Sequence, residues 1–212
     1  MTQYSLWNVS ADNIEIKSSI GNTDFDVITL FDNHVVIIEI KHLVTPYDPK
    51  RYYEDRQEIK KAIKQLKLRK QVLLRDWALI RDITKGFLPP EPYPEERMIQ
   101  LVCTNIDSFT SLEIDGIRIV DESVLIRFFS DNGQYVKIWS GPKIYKKEKI
   151  WENSQPTIDD FKRYIASPTA VKWYREVVKR KNITIPRYGE GEYLGTVNYI
   201  LDEDIVKFDR QI

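Results

Sequence analysis

A single cysteine, two histidines and an even balance of charge remove several kinds of chemistry from this 212-residue chain before any motif is considered. Cys103 has no partner for an intrachain disulfide, and its place in the largely apolar stretch 99–103 reads as a buried thiol in a reducing compartment rather than as a nucleophile. No run approaches the ~20 apolar residues of a membrane span, and residues 1–10 lack the hydrophobic centre of a signal peptide. The expected location is therefore the cytoplasm, with no membrane partner. No Walker phosphate loop, G-x-G-x-x-G, C-x-x-C pair or H-E-x-x-H is present, which leaves the chemistries those motifs carry without a basis. Internal repeats and low-complexity segments are absent as well. Lys plus Arg and Asp plus Glu number 32 each, so overall charge makes no case for nucleic acid. At 42% hydrophobic and 30% charged residues, the composition is that of a soluble globular protein, long enough to bury a full core as one domain with an extension.

What the chain does have is concentrated in residues 24–42, DFDVITLFDNHVVIIEIKH. Val, Ile, Leu and Phe dominate both sides of Asp32-Asn33, a pair suited to the positive φ angles of a two-residue hairpin. That turn sets the register. With Phe31 opposite His34, residue numbers across the ladder sum to 65, so Asp26 faces Glu39, and Lys41 follows on the same face. Residues 35–40 are apolar apart from Glu39, as in a strand covered on both faces, where an ionised group persists only when paired or metal-bound. A second Ile-Glu-Ile-Lys occurs at 14–17, but no earlier strand precedes it to supply a partner aspartate. Residues 13–20 read as a strand closed by a turn at Gly21-Asn22. A two-residue turn there makes the numbers sum to 43 and sets Lys17 opposite Asp26, with Glu15 on the same face.

Beyond His42, Pro46 and Pro49 argue against regular structure up to about residue 55. Ile59, Ala62, Ile63, Leu66, Leu73, Leu74 and Trp77 then fall on one stripe and predict a long amphipathic helix over 55–80, with Gln65 on the border between its buried and exposed faces. From Arg56 to Arg75 eight basic residues stand against Glu58 alone. Lys60, Lys61, Lys64 and Lys67 are the members singled out for contact with phosphates, the alternative being a solvated helix face. Residues 85–96, with Gly86 and four prolines, read as an exposed loop. A strand over 98–104 follows, parallel to 35–41 through a right-handed crossover. A short strand over 117–120 and a helix over 122–129, N-capped by Asp121, complete the order βββαββα. Asp131-Asn132-Gly133 ends this core of residues 1–130 and opens a C-terminal α+β extension, 131–212. There a hairpin is expected around 135–139 and 144, and a helix over 157–165. Another helix is expected from Ser167-Pro168 to about Lys181, its Lys172, Arg175, Lys179, Arg180 and Lys181 interleaved with Trp173 and Tyr174. Strand pieces are expected at 194–201 and 205–208, around a loop at 189–191.

Asp26 followed by Glu39-Ile40-Lys41 resembles the D…(D/E)-x-K signature of the PD-(D/E)XK, or restriction-endonuclease-like, nuclease superfamily, and Gln65 resembles the additional Gln of some of its branches. The resemblance covers about residues 13–130; the Pro that usually precedes the first acid is replaced here by Thr23, Asp24 and Phe25. It implies an α/β fold with a mixed sheet flanked by helices, and hydrolysis of phosphodiester bonds; DNA is the expected substrate, with RNA the alternative. It also implies Mg²⁺ or Mn²⁺ held by Asp26, Glu39 and the Ile40 carbonyl, hard oxygen ligands of the kind these ions take. Lys41 then orients or deprotonates the attacking water, or stabilises the phosphorane. A lysine desolvated beside a cation has a lowered pKa, which favours the first role. Without a metal, the same residues would form a cross-strand salt bridge of Asp26 or Glu39 with Lys41 or Lys17. The acidic residue that members often carry on an N-terminal helix has no counterpart in position, unless Glu15 substitutes or the chain is part of a longer multidomain protein. Other expected partners are nucleic acid and a second copy of the chain. A nuclease-like domain that only binds nucleic acid or a protein is the alternative of a different class.

Overall fold

The fold is that of a computed structural model, which describes residues 15–130, 133–137, 144–172, 178–186 and 193–201. These fall in two units, one of the residues up to Gly133 together with Lys149–Ala166, the other of Gln134–Glu148 and the described residues from Ser167 onward.

In the first unit, β1 (Ile16–Ser18) and β2 (Gly21–Thr23) form a small hairpin of their own, before β3 (Val27–Phe31) and β4 (His34–Lys41). The turn between β3 and β4 is the expected one. Asp32 and Asn33 have φ of 46° and 57°, the left-handed pair that a tight hairpin requires, and the ladder runs from Phe31↔His34 to Val27↔Ile38 in the register read from the sequence. The first hairpin differs from expectation. Its partners are Ile16↔Thr23 and Lys17↔Asn22, so the turn is Ser19-Ile20, and Lys17 does not face Asp26. Gly21 at φ 147° lies inside the strand and not at the turn, and this register sends Ile16 into the core.

Helix α1 (Pro49–Arg75) begins six residues earlier than the apolar stripe suggests. Asp48 accepts the Arg51 N–H at 2.6 Å as N-cap, and Pro49 occupies the first helical position, where its missing N–H is no loss. The proline therefore starts a helix and does not prevent one. At Asp76 the chain breaks into α2 (Trp77–Ile83), whose Trp77 indole donates to the Pro89 carbonyl at 2.8 Å. After the proline loop come β5 (Met98–Thr104), β6 (Glu113–Ile114), β7 (Ile117–Asp121) and α3 (Glu122–Ser130). Asp121 caps α3 as expected, its Oδ1 accepting the Ser123 N–H at 2.9 Å. The signal for the two-residue β6 is Asp115-Gly116, a left-handed pair at φ 53° and 77° that turns the chain into β7.

The result is a mixed α/β arrangement with a five-stranded sheet in the order β3-β4-β5-β7-β6, in which β4, β5 and β7 are parallel. Alternation along β4 assigns its faces. Val35 and Ile37 pack with Ile59, Ala62, Leu66 and Leu73 of α1, while Val36 and Ile38 pack with Val124 and Phe128 of α3 on the other side.

In the second unit's sequence range, β8 (Gly133–Lys137) and β9 (Ile144–Lys149) form a two-stranded sheet. Helix α4 (Ile158–Ala166) belongs to the first unit. Its Phe161 joins Phe31, Phe128 and Phe129 in an aromatic cluster, and Asp32 of the β3–β4 turn accepts the Ile158 N–H at 2.8 Å. Residues 169–172 are helical, but β10 (Val178–Pro186) pairs antiparallel with β11 (Tyr193–Leu201), so the helix expected to reach Lys181 has given way to a strand. A ladder of nine residue pairs joins the two strands. Trp173, Tyr174, Arg175, the loop at 189–191 and the piece at 205–208 lie outside the described residues. Among the described residues no helix is long and apolar enough to cross a membrane.

Candidate functional site

The polar cluster sits where β4 runs out of apolar residues. Val35 and Ile37 fill the α1 side of the sheet, and the same alternation then delivers Glu39 and Lys41 to that face at the carboxyl end of the strand, where ligands of open α/β sheets commonly bind. Asp26 immediately precedes β3, and its Oδ2 accepts the backbone N–H of Ile40 at 2.7 Å, which ties it beside Glu39. Glu39 is 2% exposed. Its Oε1 lies 2.6 Å from Lys41 Nζ, and Lys41 Nζ also donates to Gln65 Oε1 at 3.1 Å. Asp26, Glu39, Lys41 and Gln65 are thus brought together.

Their common neighbour is Arg69, which sequence reasoning counted only among the basic run. It is 1% exposed. Its Nη1 is paired with Glu39 Oε2, and its Nη2 lies 2.9 Å from Asp24 Oδ1 and 3.4 Å from Asp26 Oδ1. The missed signal is its spacing. Ile59, Ala62, Leu66 and Leu73 are buried, and Arg69 stands at the gap in that stripe, where a charged residue needs a buried partner. Gln65 and Arg69 are four residues apart and share a flank of α1. Asp24, more exposed than the others, has its carboxyl held below the usual range by the hydrogen bond from Arg69, with burial opposing.

Of the four lysines singled out on the helix, Lys61 alone shares this flank. At about 100° per residue, Lys61 lies within about 40° of Gln65, Lys64 about 100° away, and Lys60 and Lys67 about 140–160° away. Contacts agree: Lys67 Nζ reaches Asp115 at 2.6 Å, in the turn beyond β6 at the opposite edge of the sheet from β3. Lys61 pairs with Glu58 at 2.6 Å, and Glu58 is held below the usual carboxylate range by that hydrogen bond, with Lys41 and Arg51 adding smaller attraction. If nucleic acid passes over the Gln65 flank, Lys61→Glu should weaken binding and lower the salt dependence by about one unit of slope, whereas Lys67→Glu should leave the slope unchanged. A filter-binding titration across salt concentrations compares the two, and unchanged affinity and slope in both would return the helix to a solvated face.

Two other groups have simple roles. His34 Nδ1 lies 2.8 Å from the Asp32 carbonyl and belongs to the turn. Cys103 has its thiol pushed up to about 12 by burial, with Asp121 and Glu122 adding to it, and is inert as a nucleophile at neutral pH.

Whether the cluster suits a divalent cation depends on donors and charge. Asp26 and Glu39 are hard oxygen donors already directed at one cation, the Arg69 guanidinium, which stands in the place between them. Asp24, Asp26 and Glu39 set three negative charges against Arg69 and Lys41, so the cluster retains one negative charge. Among the described residues no three His, Cys, Asp or Glu side chains converge directly on a metal site; these three carboxylates meet through Arg69. Donor chemistry and charge therefore fit a divalent ion, provided the guanidinium yields its place. Comparison of the chain with family models, curated proteins and solved structures gives no significant match.

Proposed function

We propose that this chain is a metal-dependent nuclease with a restriction-endonuclease-like core, acting on DNA in the cytoplasm. The observation that carries this reading is the meeting of Asp26, Glu39, Lys41 and Gln65 on one face at the carboxyl end of a buried strand. Asp26, Glu39 and the Ile40 carbonyl would hold Mg²⁺ or Mn²⁺. Such an ion, when bound, supplies positive charge to the phosphoryl oxygen and acidity to a water. Asp26 keeps its orientation through the Ile40 N–H, and Gln65 holds the Lys41 ammonium against Glu39. In that position the Lys41 ammonium directs the attacking water or balances charge on the phosphorane, and it would take the water's proton only after giving up its own. The order hairpin, helix, parallel strand, strand, helix across the five-stranded sheet is consistent with the superfamily core.

A second reading, a nuclease-like module that binds nucleic acid or protein without cleaving, is favoured by one observation: Arg69 occupies both carboxylates. The two readings part in a cleavage assay on plasmid, linear duplex and RNA with Mg²⁺, with Mn²⁺ and with chelator. Cleavage of DNA that requires the ion is the expected result. Binding without cleavage under every condition would establish the second reading, and cleavage in chelator would refute the metal mechanism.

A further inference from the structure

We infer that Arg69 is the resident cation of this site and that Asp24 is its receiving carboxylate, so that a divalent ion enters by exchange with the guanidinium. This rests on the metal-dependent reading proposed above. The argument begins from burial. Glu39 and Arg69 are 2% and 1% exposed, so neither charge is relieved by water, and each depends on a partner. The guanidinium nitrogens cover Glu39 Oε2 and Asp26 Oδ1, two of the oxygens a divalent ion would need. The guanidinium must therefore leave Glu39, and it needs another carboxylate within reach.

Asp24 meets that need. Arg69 Nη2 is already nearer to Asp24 Oδ1, at 2.9 Å, than to Asp26 Oδ1, at 3.4 Å, so turning Nη1 away from Glu39 keeps one charge-assisted hydrogen bond throughout. The Asp24 side chain is 52% exposed against 3% for Glu39, so the incoming guanidinium would gain hydration as it moves outward. Lys41 has a similar outlet in Gln65 Oε1 at 3.1 Å, a neutral acceptor that holds the ammonium when Glu39 is engaged elsewhere. With this arrangement the site holds a cation at all times, and its affinity for a divalent ion is set by the difference between two occupants.

The test is Mn²⁺ titration by calorimetry, with Mn²⁺ electron paramagnetic resonance and thermal melting in parallel, on wild type, Asp24→Asn, Arg69→Gln and the double variant. Asp24→Asn, a change at an exposed side chain, is expected to weaken Mn²⁺ binding about 5- to 150-fold, the usual span of coupling between two ligands. Arg69→Gln is expected to melt lower without metal, to bind Mn²⁺ more tightly than wild type and to gain more in Tm from it. In the Arg69→Gln background Asp24→Asn should change nothing, because Asp24 acts through the arginine. A loss of the same size in both backgrounds would make Asp24 a ligand in its own right and overturn the exchange. Equal affinity in wild type and Asp24→Asn, or weaker binding in Arg69→Gln, also overturns it while leaving the metal-dependent reading standing. No Mn²⁺ binding in any protein removes both. Should Arg69→Gln fail to fold, Arg69→Met with and without Asp24→Asn supplies the arginine-less background for the same comparison.

Discussion

Lys41→Ala is expected to slow DNA cleavage about 10²–10⁴-fold, the usual contribution of a positioned acid–base group, while the protein remains folded and still binds DNA. Lys41 is partly exposed, and its two contacts are Glu39 Oε1 and Gln65 Oε1. Removing it leaves Glu39 paired with Arg69 and Gln65 at the surface, so no buried charge is stranded. The pair is largely buried on the Glu39 side, but Arg69 remains as partner, so the structural cost stays below that of stranding a buried charge. Loss of rate with retained binding is therefore the signature of a reacting group, whereas a structural lysine would change neither by much. Single-turnover cleavage and equilibrium binding on one preparation separate these cases, and wild-type rates in Lys41→Ala would end the proposed mechanism. Gln65→Ala should follow in the same direction with a smaller effect, since it removes one of two groups holding the ammonium.

Arg69→Ala should lower folding stability by about 3–5 kcal/mol, the usual result of stripping the partner from a buried charge. The size follows from Glu39, which is 2% exposed and would keep only Lys41. Denaturant unfolding with an unchanged slope measures it, and a loss under about 1 kcal/mol would show that water reaches Glu39 after all. Replacing both partners, Arg69→Met with Glu39→Gln, should recover most of the loss, because an uncharged pair of similar volume carries no desolvation penalty. The same dependence bears on Glu39 variants: Glu39→Ala takes the partner from Arg69 Nη1 and leaves Asp24 and Asp26 on Nη2 only, so Glu39→Gln is the variant that isolates the carboxylate charge. The contact with Asp24 adds an acid-labile part. Its carboxyl is depressed in the folded state, so this stabilisation is present above the unfolded value of about 3.9 and is lost as pH falls through the depressed one. That component should vanish in Arg69→Ala.

Local features proved legible where the physics is local. The Asp32-Asn33 turn takes left-handed φ at both positions, and its two residues alone determine the β3–β4 register. The Gly21-Asn22 reading failed for a related reason. A glycine permits positive φ in a strand as well as in a turn, and Gly21 takes it as the first residue of β2. Pro49 was legible as a break in what precedes it, but its role as the first residue of α1 depends on Asp48 standing before it as N-cap. Further along, Val178–Pro186 forms a ladder with Tyr193–Leu201. That partner is remote in sequence, and a count of helical spacing over one segment has no access to it.

By itself the sequence determined the hairpin register that brings Asp26, just before β3, beside Glu39 and Lys41, that Glu39 lies in a covered strand, and that α1 presents one buried stripe. These follow from periodicity and turn chemistry within short spans. Only the tertiary structure decided which cation the carboxylates hold. Asp26 and Arg69 are 43 residues apart, and their meeting depends on the rotation and height of α1 over the sheet, set jointly by the packing of Ile59, Ala62, Leu66 and Leu73 against β4 and β5. The same rotation sends Lys67 to Asp115 at the far edge while Gln65 reaches Lys41 at the near one. Two residues apart on one helix, they face opposite ways, because at about 100° per residue two steps carry a side chain most of the way around.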